Sequence, residues 1–153
     1  MIASGKKAPA FKLPDENGEQ LSLSGLKGET VVLYFYPKAS TPGCTTQACG
    51  VRDNLKKYKA SGARVLGVSP DPVAKVKKFH DAEKLNFTLL ADEDHAVCEL
   101  YGTWAEKSMY GKKYWGSTRT TFIIDADGVV RHVIAKASPK THDQEVLAAL
   151  AEL

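Results

Sequence analysis

The sequence predicts an α/β protein, a three-layer sandwich in which a central mixed β-sheet carries helices on both faces. Two apolar strands, at 31–36 and 63–70, alternate with helical patterns along the first half of the chain. The segment 119–135 then contains two apolar runs around a turn, as in a hairpin. With 153 residues and 43% apolar content, we expect a single domain over residues 1–153.

The first thirty residues combine short apolar pieces with turn signals, "LPDENGEQ" and "LSGLKGET", and predict a short strand or hairpin. The run "VVLYFY" (31–36) is β-branched and aromatic throughout, so we expect a strand covered on both faces. A helical pattern extends from about Thr41 to Ala60, with apolar residues at i, i+4 and i+7, and ends at Ser61-Gly62. The next buried strand is "ARVLGVSP" (63–70).

The second half of the chain continues with shorter elements. The amphipathic helix "VAKVKKFHDAEKL" precedes a short strand, "TLLAD", and the brief helix "DHAVCELYG" ends at Gly102. The hairpin turns at 125–128, and the last helix begins at Thr141, a plausible N-cap. A glycine- and lysine-containing loop is expected before Arg119. The aromatic residues that flank it are expected to pack in the core or on the surface: Trp104, Tyr110, Tyr114 and Trp115.

Charge and cysteine content narrow the possible functions. The net charge is only +3, and lysines occur in short pairs, so nucleic-acid or membrane binding is not indicated. No signal peptide or membrane-spanning run is visible, and we expect a cytoplasmic protein. Three cysteines are an odd number in a chain large enough to fold without crosslinks. This favours a reactive thiol or a metal site over a structural disulfide framework.

The segment "TPGC" that follows the first core strand has the signature of a helix start. Thr41 suits the N-cap, Pro42 the first helical position and Cys44 the third. The sulfur of Cys44 would then lie among unpaired backbone N–H groups at the positive end of the helix dipole. Both features favour the thiolate over the thiol, so Cys44 is predicted to be reactive.

Cys49 follows Cys44 by five residues. In a regular helix their Cα atoms would be roughly 8.6 Å apart and on different faces. A disulfide needs a Cα separation of about 4.4 to 6.8 Å, so the two thiols can bond only if the first turns unwind. Thr45, Thr46 and Gly50 weaken the helix propensity here, which suits a thiol pair that alternates between two conformations.

The residues around Cys44 resemble those of a known protein family. "PKASTPGC" is similar to the Pro-x-x-x-Thr-x-x-Cys motif of peroxiredoxins, and "YFYPKASTPGCTTQACGVRD" resembles their peroxiredoxin Q or bacterioferritin comigratory protein group. The similarity extends from "GKKAPAFKLPDENGE" to the terminal helix. It implies a thioredoxin-like fold and a thiol peroxidase that reduces hydrogen peroxide and organic hydroperoxides without a bound cofactor.

The resemblance also implies residue roles. Cys44 matches the peroxidatic cysteine, whose thiolate attacks the peroxide and becomes a sulfenic acid. Thr41 matches the threonine that orients the peroxide, and Pro37 the proline that shields the pocket. Arg119 matches the arginine that stabilises the thiolate and the charge that develops as the O–O bond breaks. Gly43 is a supporting residue of the same motif.

The resemblance extends to two further positions, one that supports the arginine and one that supplies the second thiol. Gln47 stands where many relatives carry Glu, and it keeps an acceptor for the arginine while losing a charge. Cys49 matches the resolving cysteine of one branch of the group, whereas the other branch places that thiol near the position of His80 here. Resolution by Cys49 within one chain, reduction by thioredoxin or a similar dithiol, and a monomer are therefore expected.

Two alternatives remain open from the residues. Cys44, Cys49, His95 and Cys98 could form a structural zinc site, although Cys98 is more simply a small core residue. A thioredoxin-like disulfide reductase is also conceivable. Such enzymes use Cys-x-x-Cys with a proline before the facing strand, whereas "RTTF" at 119–122 contains no proline. Metal analysis and insulin reduction, respectively, would distinguish these hypotheses from a peroxidase.

Overall fold

A five-stranded mixed sheet forms the centre of the molecule in the computed structural model, which describes residues 1–153. The strands are β1 (Lys12–Pro14), β2 (Gln20–Ser22), β3 (Thr30–Phe35), β4 (Ala63–Ser69), β5 (Thr88–Ala91), β6 (Trp104–Met109), β7 (Lys112–Ser117), β8 (Thr120–Ile124) and β9 (Val130–Ile134). The helices are α1 (Pro42–Asp53), α2 (Leu55–Ala60), α3 (Val73–Ala82), α4 (Ala96–Tyr101) and α5 (His142–Ala151). A 3-10 turn covers Leu23–Leu26.

The strand order in the central sheet is β5-β4-β3-β8-β9. β3 pairs in parallel with β4, and β4 with β5, whereas β8 runs antiparallel to both β3 and β9. Leu33 in the middle of β3 lies opposite Leu66 on one side and Phe122 on the other. This central position explains why β3 is apolar throughout, and the mixed sheet confirms the sequence prediction.

The two faces of the sheet bury separate apolar clusters. Along β3, alternate side chains point to opposite faces, so Val32 and Tyr34 join a cluster with residues of α1, α2, α3 and α5. Leu33 and Phe35 join a second cluster, which is covered by α4 and by the N-terminal segment that contains Phe11. The three layers predicted from the sequence are present, with four of the five helices on one face.

The long helix predicted from Thr41 to Ala60 is wrong in one respect, because the structure divides it at Asn54 into α1 and α2. The Asn54 side-chain amide donates to the carbonyl of Gly50 at 2.9 Å, and its own backbone has φ −105° and ψ 10°. Asparagine competes for backbone hydrogen bonds in this way, so it ends the helix locally.

The segment predicted as a loop before Arg119 is a second correction, since it forms the antiparallel hairpin β6–β7. The turn consists of Tyr110 and Gly111, with φ values of 52° and 79°. A two-residue turn with positive φ at both positions matches the right-handed twist of the flanking strands. Tyr110, Tyr114 and Trp115 are exposed on this hairpin.

The N-terminal segment, predicted as a short strand or hairpin, is a hairpin, and the hairpin predicted at 119–135 is present. β1 and β2 pair near the N-terminus, and β8 and β9 flank a turn in which Asp125 Oδ1 accepts hydrogen bonds from the backbone N–H groups of Asp127 and Val129. Among the helices of the structure, none has the length and apolarity that crossing a membrane requires.

Candidate active site

The loop that follows β3 is fixed by a buried carboxylate. Pro37 lies half-buried directly after this strand, and the N–H of Ala39 donates to Asp71 Oδ2 at 2.8 Å. Asp71 is 6% exposed and follows β4, the parallel neighbour of β3. Because parallel strands end at the same edge, Asp71 can hold this loop in place across 32 residues of sequence. No pattern in the sequence singles out Asp71 for this role.

The helix start that was predicted at "TPGC" is confirmed. Thr41 occupies the N-cap with extended backbone, Pro42 begins α1, and the Thr41 carbonyl accepts from Thr45 N–H at 2.9 Å. The cap made by the Thr41 side chain is not present, because its hydroxyl donates to the carbonyl of Lys38 at 2.8 Å. The hydroxyl therefore leaves the N–H groups of the first turn free and presents its lone pairs as acceptors.

Cys44 and Arg119 are in contact. Cys44 is 1% exposed, and its sulfur lies 3.5 Å from Nη2 of Arg119. Arg119 lies between β7 and β8, where its backbone carbonyl accepts a hydrogen bond from Ala137 N–H. A guanidinium is always charged and presents fixed donors, so it stabilises negative charge on the sulfur and on any oxygen bound beside it.

Gln47 completes this contact from the next turn of α1. Its Oε1 accepts from Arg119 Nη1 at 2.6 Å, and its side chain is fully buried. The guanidinium thus bridges Gln47 and Cys44. The second amide atom, Gln47 Nε2, is buried without a hydrogen-bond partner.

Gly43 makes room for the guanidinium. A Cβ at this position would lie 3.1 Å from Arg119 Nη2 and 3.6 Å from Pro139 Cγ. Absence of a side chain therefore lets Arg119 approach the start of α1 closely. This packing gives a physical reason for the glycine of the "TPGC" segment.

Cys49 lies on a different side of α1. It is half-exposed and donates a hydrogen bond from Sγ to Glu83 Oε1 at 3.5 Å, at the end of α3. Burial raises the pKa of the Cys49 thiol, the hydrogen bond to Glu83 raises it further, and the charge of Arg52 acts in the opposite direction. All three cysteines are free, and Cys44 and Cys49 both belong to the intact helix α1.

Lys107 is a second cation near the site that the sequence analysis missed. It projects from β6, and its ammonium donates to the carbonyl of Ser117, two residues before Arg119. Burial and the charge of Arg119 lower the pKa of Lys107, whereas the charge of Cys44 raises it. Only the pairing of β6 with β7 brings Lys107 to this place, so no local signal in the sequence could have identified it.

The residues of the hypothetical zinc site are separated by the sheet. Cys44 belongs to the cluster on the helix-rich face, and Cys98 is fully buried in the cluster on the other face. His95 stacks on Trp104 with ring centroids 4.0 Å apart. No group of three or more His, Cys, Asp or Glu side chains is arranged to hold a metal ion. The four residues thus do not form one site.

A buried cysteine at the start of a helix, beside an arginine at the edge of a mixed sheet, defines a thiol-based oxidoreductase. Comparison with known proteins agrees with this class. The AhpC/TSA family model matches residues 4–133. Peroxiredoxin Bcp of Escherichia coli K12 is 51% identical over 146 residues, which is 95% of this chain and 94% of that protein.

Solved structures show the same fold over the whole chain. Peroxidoxin BcpB of Mycobacterium tuberculosis superposes with a TM-score of 0.89 and 37% identity, covering 100% of this chain and 99% of that one. The bacterioferritin comigratory protein of Xanthomonas campestris gives 0.90 and 35%, with 98% of each chain covered. The chain therefore belongs to the AhpC/TSA family of peroxiredoxins and has their thioredoxin-like fold, as the sequence resemblance indicated. Peroxidase chemistry, peroxide substrates and a reductant partner follow from this membership.

Proposed function

We propose that this chain reduces hydrogen peroxide and organic hydroperoxides through Cys44. The observation that carries the proposal is the 3.5 Å contact between Cys44 Sγ and Arg119 Nη2, with the same guanidinium held by Gln47. The Cys44 thiolate attacks the terminal oxygen of the peroxide and the O–O bond breaks. The electron pair leaves with the second oxygen, which takes a proton and departs as water or an alcohol, and Cys44 becomes a sulfenic acid.

The surrounding residues orient the peroxide and stabilise its transition state. The Thr41 hydroxyl has its proton committed to Lys38 O, so its oxygen is free to accept the O–H of the peroxide. Arg119 faces the oxygen on which negative charge develops, where a fixed donor is most effective. Pro37, half-buried at the same strand end, shields the reacting atoms from water.

We propose that Cys49 resolves the sulfenic acid. Its thiol attacks the Cys44 sulfur, the disulfide forms, and the hydroxyl of the sulfenic acid leaves as water with the thiol proton. Because both residues belong to α1 and point to different neighbours, this step requires local unfolding of residues around 43–51. Both thiols belong to one chain, so no second subunit is needed for this step and we propose a monomer. We also propose that the protein acts in the cytoplasm and is recycled by thioredoxin or a similar dithiol.

A relative supports the proposal that organic hydroperoxides are substrates. The Xanthomonas campestris protein is described by its alkyl peroxide reduction activity, and it covers 98% of this chain at 35% identity. The exposed loop at the start of α1 is open to solvent at Ser40 and Pro42, so a substituent on the peroxide can extend outwards. We therefore include organic hydroperoxides among the substrates.

Peroxide consumption coupled to thioredoxin tests the proposal in the wild type and in three serine variants. We expect Cys44→Ser to be inactive and Cys98→Ser to be nearly normal. Cys49→Ser should react once with peroxide, give a sulfenic acid that dimedone traps, and then stop. An active Cys44→Ser enzyme would overturn the peroxidatic role, and normal turnover by Cys49→Ser would overturn the resolving role.

A further inference from the structure

The contact between Cys49 and Glu83 joins α1 to the end of α3. Cys49 Sγ donates to Glu83 Oε1 at 3.5 Å across 34 residues of sequence. Beside it, Arg52 Nη1 donates to the backbone carbonyl of Glu83 at 2.6 Å. The half-buried Glu83 is the C-cap residue of α3 and therefore sits on a fixed element. Two residues about one turn apart on α1 thus both bind Glu83.

We propose that Glu83 is a positioning residue of the resolution step: it holds Cys49 as a protonated thiol in the closed helix and so controls when Cys49 is released. This inference rests on the proposed resolving role of Cys49. The hydrogen bond from the Cys49 S–H group to the Glu83 carboxylate exists only while the thiol keeps its proton and α1 stays folded. Unwinding of α1 breaks it, and closure after reduction restores it.

Among the charged groups around Cys49, Glu83 is the one that sets the pH dependence of disulfide formation. Arg52 and Asp53 face the thiol from α1 itself, and Glu83 faces it from the end of α3. His80, one turn earlier on α3, is engaged elsewhere, with Glu16 and the carbonyl of Phe87. Apart from burial, the bond to Glu83 contributes most to the raised pKa of Cys49.

The sign of the effect follows from linkage. A thiol whose pKa is raised in the closed state stabilises that state at low pH, and this stabilisation is lost as the pH rises towards the closed-state pKa. Above the ordinary thiol pKa, opening releases a proton and becomes more favourable. The rate of disulfide formation should therefore rise with pH to a plateau, and the midpoint of this rise reports the closed-state pKa of Cys49.

Glu83→Gln tests this inference with little change in shape. The amide can still accept from Cys49, and the Arg52 bond to the backbone carbonyl is unaffected, but the negative charge is gone. Since a hydrogen bond to a charged group is about twice as strong as a neutral one, we expect disulfide formation at pH 7 to be about three- to tenfold faster. The midpoint of its pH profile should move to lower pH. Glu93→Gln, at an exposed carboxylate in the loop between β5 and α4, is the matched control.

Rapid quenching with an alkylating reagent and mass spectrometry would follow sulfenic acid and disulfide separately after addition of hydrogen peroxide. Sulfenic acid formation should be unchanged in Glu83→Gln. In a Cys44→Ser background, the alkylation rate of Cys49 against pH gives its pKa without any turnover. An unchanged Cys49 pKa or an unchanged pH profile of disulfide formation would overturn the role of Glu83. Failure of the resolving assignment is distinct, because Cys49→Ser would then still turn over peroxide normally with thioredoxin.

Discussion

The guanidinium of Arg119 donates to Gln47 Oε1 at 2.6 Å while its other terminal nitrogen lies 3.5 Å from the sulfur of Cys44. A neutral amide on α1 therefore sets the position of the cation that faces the reactive thiol. The amide nitrogen of Gln47 has no partner in the buried environment. Arg119 is thus held by one acceptor on a helix that the proposed cycle must partly unwind.

Gln47→Ala should slow the reaction of Cys44 with hydrogen peroxide by about tenfold, because a mispositioned guanidinium loses on the order of 1.4 kcal/mol of transition-state stabilisation. Gln47→Glu keeps the acceptor and should retain the rate. Stopped-flow measurement of sulfenic acid formation checks both variants. A Gln47→Ala enzyme with the wild-type rate would show that Arg119 needs no support from α1.

Gly50→Ala should destabilise the fold, although alanine ordinarily stabilises a helix. The added Cβ would collide with the carboxylate of Asp143 on α5, and that carboxylate also accepts a 2.5 Å hydrogen bond from the Tyr58 hydroxyl. We expect a loss of about 1–3 kcal/mol in the free energy of unfolding, measured with urea. Gly116→Ala is the control, since its Cβ would meet nothing nearer than 3.6 Å. Equal stability of the two variants would contradict a tight contact between α1 and α5.

Oxidation should loosen α1 alone. When Cys44 and Cys49 are bonded, the amides of residues 43–51 should exchange faster than in the reduced protein, because the disulfide and the helix exclude each other. Hydrogen exchange with mass spectrometry measures this, and peptides from α4, which packs on the opposite face of the sheet, serve as the internal reference. Equal protection of residues 43–51 in both redox states would refute local unfolding.

His142 should make the fold sensitive to acid. It is buried, with Nε2 2.8 Å from Thr121 Oγ1, and burial, aided by the charge of Arg119, lowers its pKa to about 4. The folded state therefore prefers the neutral ring. Stability from this source is complete above the unfolded pKa of about 6.5 and is lost as the pH falls towards 4, by about 3 kcal/mol in total. His142→Gln should flatten the loss between pH 6.5 and 4 in urea titrations. An unchanged slope would show that another group titrates.

Local sequence patterns were sufficient to predict the central strand and the start of the helix that carries Cys44. The apolar run of β3 and the Thr-Pro-Gly-Cys start of α1 depend on neighbouring residues, and the structure places them as predicted. The helix predicted from Thr41 to Ala60 is interrupted at Asn54, because the hydrogen bond from its side chain to the backbone ends α1 even though the apolar pattern continues. The β6–β7 hairpin depends on positive φ at Tyr110, which few non-glycine residues adopt, so periodicity did not reveal it.

The remainder of the candidate site is made by contacts between distant segments. Asp71 holds the loop after β3 and Glu83 meets Cys49, each across more than thirty residues of sequence. An aspartate after a strand and a glutamate at a helix end are ordinary surface residues in the sequence alone. Their roles depend on the strand order and on where α3 ends, which the sequence pattern does not specify.

Cys98 shows how this architecture can tolerate a third thiol. The sheet stands between it and Cys44, and burial, followed by the nearby Asp92 carboxylate, raises the pKa of Cys98 to about 12. Local unfolding of α1 alone cannot bring Cys44 to Cys98, because the hydrogen-bonded strands of the central sheet lie between them. The sheet therefore separates Cys98 from Cys44, so in the proposed cycle Cys44 can form an intramolecular disulfide only with Cys49, and mispairing with Cys98 is prevented by the fold itself.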